Sequence, residues 1–479
     1  MSGLYSVILA GGQGSRLWPL SREMSPKQMF RLGDEYSLFQ QTFLKLAGIS
    51  DDKNIITAAN IKYVSEIKSQ LKVLQEKFCR KSGYTVLTES VSKNTAPALS
   101  AAVKYINDNY AQFSTPVILA VPSDQIFSSR EGFTNAILKG TELAKNGYIV
   151  AFISESDNIN ENFGYIKARK NPKVSQIQPD ALKVTGFIEK PASKKQKEEL
   201  KGKKYVNSGI YMFTPETYFE ELKKYSPEIY NIIINQEVQT SIPSIPMEIY
   251  EKMPDISIDY AVMEKSKKIA AVNLDTEWKD IGSWDAIYDL SPKNEKGNVI
   301  HGKAIEIDSE NSMIYSDSKL VATLGIKDTF VIDTEDALLV CDKNNTNGVK
   351  NIYKKLNDKN SKTKEIHKTV FRPWGYYTVL EEGEGFLTKC IAVNPNAKLS
   401  IQLHHHRSEH WIILEGEATI IKGDETYKLN PGESIDIDIE EVHSLQNHGN
   451  IQLKVIEIQQ GDILDENDIE RLEDIYGRA

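Results

Sequence analysis

The sequence predicts an α/β protein in three parts: a large domain on a mostly parallel mixed sheet, a short β-rich connector and a C-terminal antiparallel barrel. Three observations carry this. Up to about Leu290, short apolar runs of β character alternate with segments whose apolar residues recur at helical spacing. From Pro292 to Val349, only short strands and polar turns follow one another. Beyond a polar stretch, Leu356–Lys368, a second series of alternating strands is broken by Gly, Pro and Asn turns. The expected divisions are 1–290, 291–355, a linker at 356–369, and 370–479.

In the first part, Ser6–Ala10, Asn54–Ala58, Val117–Val121, Ile149–Ser154 and Ile210–Phe213 read as strands. Leu38–Leu46, Ala96–Tyr105 and Gly132–Ala144 read as helices between them. Such alternation makes βαβ units, whose ligands bind beyond the carboxyl ends of the strands. The charge run Lys194–Lys204 reads as a solvated helix and turn. Connector strands are expected at Val299–Ile300, Ala304–Ile307, Met313–Tyr315, Leu320–Leu324, Thr329–Ile332 and Ala337–Leu339. The barrel strands are Leu387–Val393, Trp411–Leu414, Ala418–Ile421, Ser434–Ile439 and Ile451–Ile458.

A chain of 479 residues exceeds what one core usually organises, which agrees with several domains. With 40% hydrophobic and 26% charged residues, it reads as globular rather than disordered. No apolar run approaches a membrane span, and the N-terminus lacks the basic region of a signal peptide, so a cytoplasmic protein is expected. Cys79, Cys341 and Cys390 have no CxxC spacing and read as buried small hydrophobes. Charges of both signs are interspersed to a net of -9, which leaves no polybasic face for nucleic acid.

Chemistry begins at Leu9-Ala10-Gly11-Gly12-Gln13-Gly14-Ser15-Arg16, where a strand runs into glycines whose N–H groups can face phosphate oxygens. A dinucleotide fingerprint would need glycine where Leu17 stands, and no Gly-Lys-Ser/Thr follows. The glycines alone fit an empty turn equally well. The continuation decides more: Arg16 through Arg22, Ser25-Pro26-Lys27-Gln28, Lys93-Asn94-Thr95-Ala96-Pro97-Ala98, Pro122-Ser123-Asp124 and Phe163-Gly164-Tyr165-Ile166. Phe187-Ile188-Glu189-Lys190-Pro191, Val206-Asn207-Ser208-Gly209, Ile256 to Tyr260 and Trp278 to Trp284 complete the series.

In these motifs the chain resembles the sugar-1-phosphate nucleotidyltransferases, and among them the mannose-1-phosphate guanylyltransferases. The resemblance implies a Rossmann-like domain in which Arg16 and Lys27 hold the triphosphate and neutralise departing pyrophosphate. It implies that Gly11, Gly12, Gly14, Asn94 and Thr95 bind the nucleotide, and that Asp124 and Asp280 share one Mg²⁺. Lys190 is expected on the sugar phosphate, Glu189 and Asn207 on sugar hydroxyls, with Gly164 letting the sugar approach. Taken singly, Lys190 reads as a turn lysine and Asp124 as a helix cap. Gln125 stands where the family usually carries histidine.

The second site starts at Gln402-Leu403-His404-His405-His406-Arg407-Ser408-Glu409-His410-Trp411. Residues 402 and 404 share one strand face, and His405 takes the other. The segment resembles the first cupin motif, anchored on Glu409 and Gly416, and Gly432–Asn447 resembles the second, with His443 in the ligand position. The implied set is Gln402, His404, Glu409 and His443, a mixed N/O group suited to Zn²⁺ or another divalent ion. With Phe371-Arg372-Pro373-Trp374-Gly375 and the tail Asp468 to Arg478, the domain resembles the isomerase half of the bifunctional, type II phosphomannose isomerases. That implies interconversion of fructose 6-phosphate and mannose 6-phosphate, with Arg407 on the phosphate or the enediolate. Lys389, His406 and His410 are open as bases.

The resemblance implies substrates GTP and mannose 1-phosphate for the first site; the connector is expected to be left-handed β-helix-like, with self-association as a homodimer expected through it. Two other readings stay open: a transferase with a structural or regulatory barrel, and a sugar-nucleotide sensor without turnover.

Overall fold

The computed structural model describes all residues except 1–2, 13, 33, 79–82, 113–114, 157–158, 160–162, 192, 201–203, 237–243, 360 and 474–479. The expectations on Gln13, Cys79 and the tail beyond Glu473 therefore lie outside the described residues.

Among the described residues, eleven strands precede residue 290: β1 (Leu4–Leu9), β2 (Ile55–Asn60), β3 (Thr85–Glu89), β4 (Val117–Pro122), β5 (Gln125–Phe127), β6 (Ile149–Ser156), β7 (Tyr165–Arg169), β8 (Leu182–Ile188), β9 (Lys204–Phe213), β10 (Ile269–Asn273) and β11 (Trp278–Asp280). Nine of them make one sheet in the order β3-β2-β1-β4-β9-β6-β10-β8-β7. Its first four strands are parallel, and antiparallel pairings of β9 with β4 and β6, and of β8 with β10 and β7, make the rest mixed. The four parallel strands are buried almost throughout because helices cover both faces, as continuous Val, Ile and Ala runs require.

Helix Leu38–Leu46 starts on a capping box, with Ser37 and Gln40 each satisfying the other's backbone N–H. Helix Thr95–Tyr110 starts at Asn94, whose side chain accepts from Thr95 N–H and whose φ of 65° lies in the left-handed region that Asn tolerates. The parallel strands all point their carboxyl ends the same way. Gly11 and Gly12 follow β1, Glu89 ends β3, and Ser123 and Asp124 follow β4, so one edge of the sheet collects them.

The connector has six strands: β12 (Val299–His301), β13 (Ala304–Ile307), β14 (Met313–Ser316), β15 (Val321–Leu324), β16 (Thr329–Asp333) and β17 (Leu338–Asp342). β12, β14 and β16 stack in parallel, as do β13 and β15, which is the arrangement of a β-helix coil. Cys341 and Cys390, expected to be buried, are only half-buried.

The stretch expected as a linker is ordered against the first domain. Thr363 carbonyl accepts from Trp18 Nε1 at 3.2 Å, Glu23 and Met24 N–H donate to the Lys364 and Glu365 carbonyls, and His367 Nε2 meets the Leu20 carbonyl at 2.7 Å. Arg22, fully buried, pairs with Asp336 of the connector at 2.6 Å and also reaches the Thr363 carbonyl. Backbone carbonyls of this stretch and the His367 ring thus make contacts between parts of the chain.

The last part holds β18 (Thr369–Arg372), β19 (Gly375–Gly383), β20 (Phe386–Val393), β21 (Ile401–His404), β22 (Arg407–Glu415), β23 (Ala418–Lys422), β24 (Glu425–Leu429), β25 (Ser434–Ile437), β26 (His443–Gln446), β27 (Leu453–Gly461) and β28 (Ile469–Glu473). They form two antiparallel sheets, β18-β19-β20-β27-β22-β25 and β24-β23-β26-β21-β28, around an apolar core that includes Trp411, Ile413 and Val455. No helix among the described residues is long and apolar enough to cross a membrane.

Candidate active sites

A cavity of about 480 Å³ opens at the carboxyl edge of the first sheet, lined by Gly11, Gly12, Lys27, Asn94, Thr95 and Asp124. Gly14 has φ +71°, and a Cβ there would meet the Lys27 side chain at 2.8 Å, so glycine lets the loop lie against Lys27. Lys27 Nζ pairs with Asp124, lies 3.6 Å from Asp280, and donates to the Ile281 carbonyl at 2.9 Å. Burial would lower the lysine's pKa, but the two aspartates raise it overall. Burial lifts the Asp280 carboxyl, Lys27 opposes this, and Asp124 adds to it. Asp124 caps no helix; it precedes β5, which pairs with β11 so that Gln125 faces Asp280.

A second cavity, about 170 Å³, is lined by Arg16, Gly164, Glu189, Lys190, Asn207 and Asp280. It shares Gly209 and Asp259 with the first cavity. Lys190 has φ 45° and its Nζ lies 3.2 Å from Glu189 Oε1, with the lysine 58% exposed and the glutamate 10%. A Cβ on Gly164 would meet Glu189 Oε2 at 2.3 Å, so only glycine leaves Glu189 its place. Asn207 Nδ2 donates to Tyr211 Oη at 2.7 Å and to Asp259 Oδ1 at 3.3 Å. Gln125, at the departure from the family pattern, is buried and donates to the Ser208 carbonyl.

In the barrel, ligand atoms of His404, Glu409 and His443 all lie within 4.8 Å of one another. His404 Nε2 is 3.1 Å from Glu409 Oε1, and His443 Nε2 is 3.8 Å from Glu409 Oε2. The Nδ1 atoms meet the carbonyls of Asp468 at 3.2 Å and Glu441 at 2.8 Å, which turns each Nε2 toward Glu409. His443 Nε2 is buried with no hydrogen-bond partner, the state expected of a metal-ligating nitrogen and costly otherwise. The donor set fits a divalent metal. Burial pushes the Glu409 carboxyl up, yet the His404 hydrogen bond and the charges of His443 and Arg407 hold it well below the usual range. Burial lowers the His443 imidazole, which favours the neutral, ligating form.

Gln402 pairs across the sheet with His443, and its Oε1 accepts from Ser400 Oγ at 2.8 Å. Arg407 is 2% exposed and donates to Glu409 at 3.2 Å and the Asp465 carbonyl at 2.9 Å. A narrow cavity beside Glu409 is lined by Gln402, Arg407, Lys389, Glu457 and Tyr377. Burial and the Glu409 charge push the Glu457 carboxyl up to about 8. Lys389 Nζ lies 3.6 Å from it.

Three family models cover the chain: nucleotidyl transferase over residues 5–297, a MannoseP isomerase/GMP-like beta-helix domain over 302–356, and the mannose-6-phosphate isomerase C-terminal domain over 359–474. The alginate biosynthesis protein AlgA of Pseudomonas aeruginosa is 36% identical, across 99% of this chain and 97% of its own. The mannose-1-phosphate guanylyltransferase RfbM of Salmonella typhimurium is 36% identical, across 98% and 97%. The chain belongs to the mannose-1-phosphate guanylyltransferase family. It is an enzyme of that family with an isomerase-type cupin domain at its C-terminus. A solved structure from Thermus thermophilus, described as a mannose-1-phosphate geranyltransferase, superposes with TM-score 0.64 at 26% identity, over 74% of this chain and 99% of that one.

In this guanylyltransferase-family chain, the expected N-terminal residues other than Gly14, which packs on Lys27, line two adjoining cavities, and His404, Glu409 and His443 converge in the barrel. His405 and His410 do not: His405 faces Glu470 at 2.9 Å and His410 meets Asp436 at 2.6 Å, both outside the barrel cavity. His406 is held by Asp468 at 2.8 Å. Sequence reasoning missed Glu89, which is 3% exposed in the larger cavity. Tyr250 Oη donates to its Oε1 at 3.0 Å, and burial pushes its carboxyl up to about 7. A charged residue closing the short strand Thr85–Glu89 was the available signal. Asp259 lay in the Ile256 to Tyr260 motif without a role, and Glu457 was missed as well; it shares the buried face of β27 with Val455 and Gln459 and has no motif of its own.

Proposed function

We propose that the chain joins mannose 1-phosphate to GTP, releasing pyrophosphate and GDP-mannose, and interconverts fructose 6-phosphate and mannose 6-phosphate in its barrel. The observation that carries the first reading is that the two cavities border a cluster in which Lys27 binds both Asp124 and Asp280. A triphosphate in the larger cavity and a sugar phosphate in the smaller would meet there.

Gly11, Gly12, Gly14, Asn94 and Thr95 hold the nucleotide, and Glu89 accepts from the ring N–H and the amino group of guanine. That fits a buried carboxyl with one oxygen already held by Tyr250. Arg16 and Lys27 hold the triphosphate and the departing pyrophosphate. Lys190 orients the sugar phosphate oxygen that attacks the α-phosphorus, and Glu189, Asn207 and Gly164 receive the sugar. Asp124 and Asp280 suit Mg²⁺, two oxygen donors already sharing one cation, and the ion supplies further neutralisation of phosphate charge when bound.

In the barrel, Gln402, His404, Glu409 and His443 hold Zn²⁺ or another divalent metal, which polarises the sugar carbonyl when bound. Lys389 and Glu457 move the proton between C1 and C2. Arg407, its donors engaged by protein acceptors, contributes fixed positive charge beside the enediolate rather than a grip on phosphate. The product supplies surface polysaccharide assembly in the cytoplasm, and the divisions 1–290, 291–355, 356–369 and 370–479 act as transferase, connector, strap and isomerase. Self-association through exposed Ile305, Ile307 and Leu324 of the connector completes the reading, and light scattering tests it.

Pyrophosphate release from mannose 1-phosphate plus GTP, and mannose 6-phosphate formation from fructose 6-phosphate, test the two activities separately. Absence of either removes that half of the reading.

A further inference from the structure

The barrel cavity beside Glu409 measures only about 50 Å³, far below the roughly 300 Å³ at the lower end of small-molecule sites. It has an outlet. Arg372, Glu466 and Arg471, which line it, also line a second cavity of about 390 Å³ between the barrel and the N-terminal domain. Phe30, Ile61 and Lys62 wall that space on one side, His367 and Phe371 on the other. The three shared residues are the partition between the two spaces, and the combined volume accommodates a sugar phosphate.

The partition carries excess positive charge. Arg372 Nη2 donates to Glu466 Oε1 at 3.0 Å and Arg471 Nη2 to Glu466 Oε2 at 3.1 Å, so one carboxylate faces two guanidiniums. Each guanidinium has five N–H donors, and Arg471 Nε is buried with no hydrogen-bond partner. The Glu466 side chain is 52% exposed, against 23% for Arg372 and 18% for Arg471, so the carboxylate is the member free to swing aside. Arg372 lies over the Tyr377 ring at 5.6 Å and Lys389 over the same ring at 5.0 Å. A continuous line therefore runs from the partition past Tyr377 to Lys389, Glu457 and Glu409. The other cations on this line are committed: Arg407 to Glu409 and the Asp465 carbonyl, Lys389 to Glu457.

We propose that Arg372 and Arg471 form the phosphate end of the isomerase site. They take the phosphate of a hexose 6-phosphate in place of the Glu466 carboxylate, and the interdomain cavity is its route of entry. This rests on the isomerase reading above. Planar guanidiniums match phosphate oxygens two at a time, and a phosphate dianion outcompetes a single carboxylate for two of them.

The test uses the full chain with Arg372→Gln, Arg471→Gln and Arg471→Lys. Calorimetric titration with fructose 6-phosphate and with inorganic phosphate is paired with isomerase kinetics, and the guanylyltransferase rate of each variant checks its folding. Each Gln variant is expected to weaken fructose 6-phosphate binding and raise its KM about tenfold or more, with a smaller effect on kcat. Arg471→Lys recovers part of the loss, and inorganic phosphate inhibits the unsubstituted enzyme more strongly than either Gln variant. Unchanged KM and affinity in both Gln variants of an active isomerase overturns the proposal, as does a loss confined to kcat. An unsubstituted chain that neither binds nor isomerises fructose 6-phosphate overturns the isomerase reading itself, a result distinct from the other two.

Discussion

Glu89→Gln separates what a buried carboxyl costs the fold from what it does for the nucleotide. Glu89 is held at about 7 instead of the ordinary 4.5, because burial outweighs the Tyr250 hydrogen bond. At ~1.36 kcal/mol per pH unit, keeping it ionised costs about 3 kcal/mol. The sign follows: the folded state binds the proton more tightly, so the stability linked to Glu89 is fully present below pH 4.5 and is lost as pH rises through about 7. Glu89→Gln keeps an acceptor for Tyr250 and has no charge to bury. Its denaturation midpoint should exceed that of the unsubstituted chain at pH 8 and approach it at pH 5. GTP binding should move the other way. Replacing a carboxylate oxygen by an amide donor removes a charged hydrogen bond to guanine of about 2 kcal/mol, or roughly thirtyfold in KM for GTP. It also abolishes any tightening of GTP binding between pH 6 and 8 that depends on Glu89 ionisation. Steady-state pyrophosphate release with GTP, ATP and dTTP reads the effect. An unchanged GTP to ATP preference in the variant refutes the assignment of Glu89 to the base.

Other outcomes follow from the same geometry. Gly164→Ala places a methyl 2.3 Å from Glu189 Oε2 and should raise KM for mannose 1-phosphate about tenfold while leaving isomerisation alone. His443→Ala should remove the barrel's bound metal, measured by elemental analysis after dialysis, and abolish isomerase activity without lowering pyrophosphate release. Retained metal would exclude His443 as a ligand. Asp336→Ala leaves the fully buried Arg22 without its 2.6 Å partner and should destabilise the chain by about 3–5 kcal/mol in urea unfolding. A loss below about 1 kcal/mol would mean that the Thr363 carbonyl and solvent suffice.

Much of this was legible in the residues, for identifiable reasons. Short continuous apolar runs rich in β-branched residues, such as Val117–Val121, read as buried strands, and the glycines after Leu9 announce a close backbone approach. Strict two-residue alternation separated His404 from His405, and His405 lies away from the group His404, Glu409 and His443. Less visible were strands such as β7 and β8, where Lys, Arg and Thr interrupt the apolar pattern at the edge of the sheet. Long-range partners left no local mark. Glu89 and Tyr250 are 161 residues apart, and the polar stretch after Leu356 looked like a tether because its partners, Trp18 to Met24, lie more than 300 positions earlier. Spacing along a chain reports which faces residues share, whereas cavities and partitions arise only when distant elements pack.

The central claim is that two chemistries reside on one chain at sites that do not share residues. Its most direct test is pyrophosphate release from mannose 1-phosphate plus GTP, measured beside fructose 6-phosphate isomerisation in the same preparations of the unsubstituted chain and of Asp280→Ala. The account predicts both activities in the former, and in the latter a fall of about a hundredfold or more in pyrophosphate release with isomerisation held within about twofold. Pyrophosphate release untouched by Asp280→Ala, or both activities lost together in a folded variant, contradicts it.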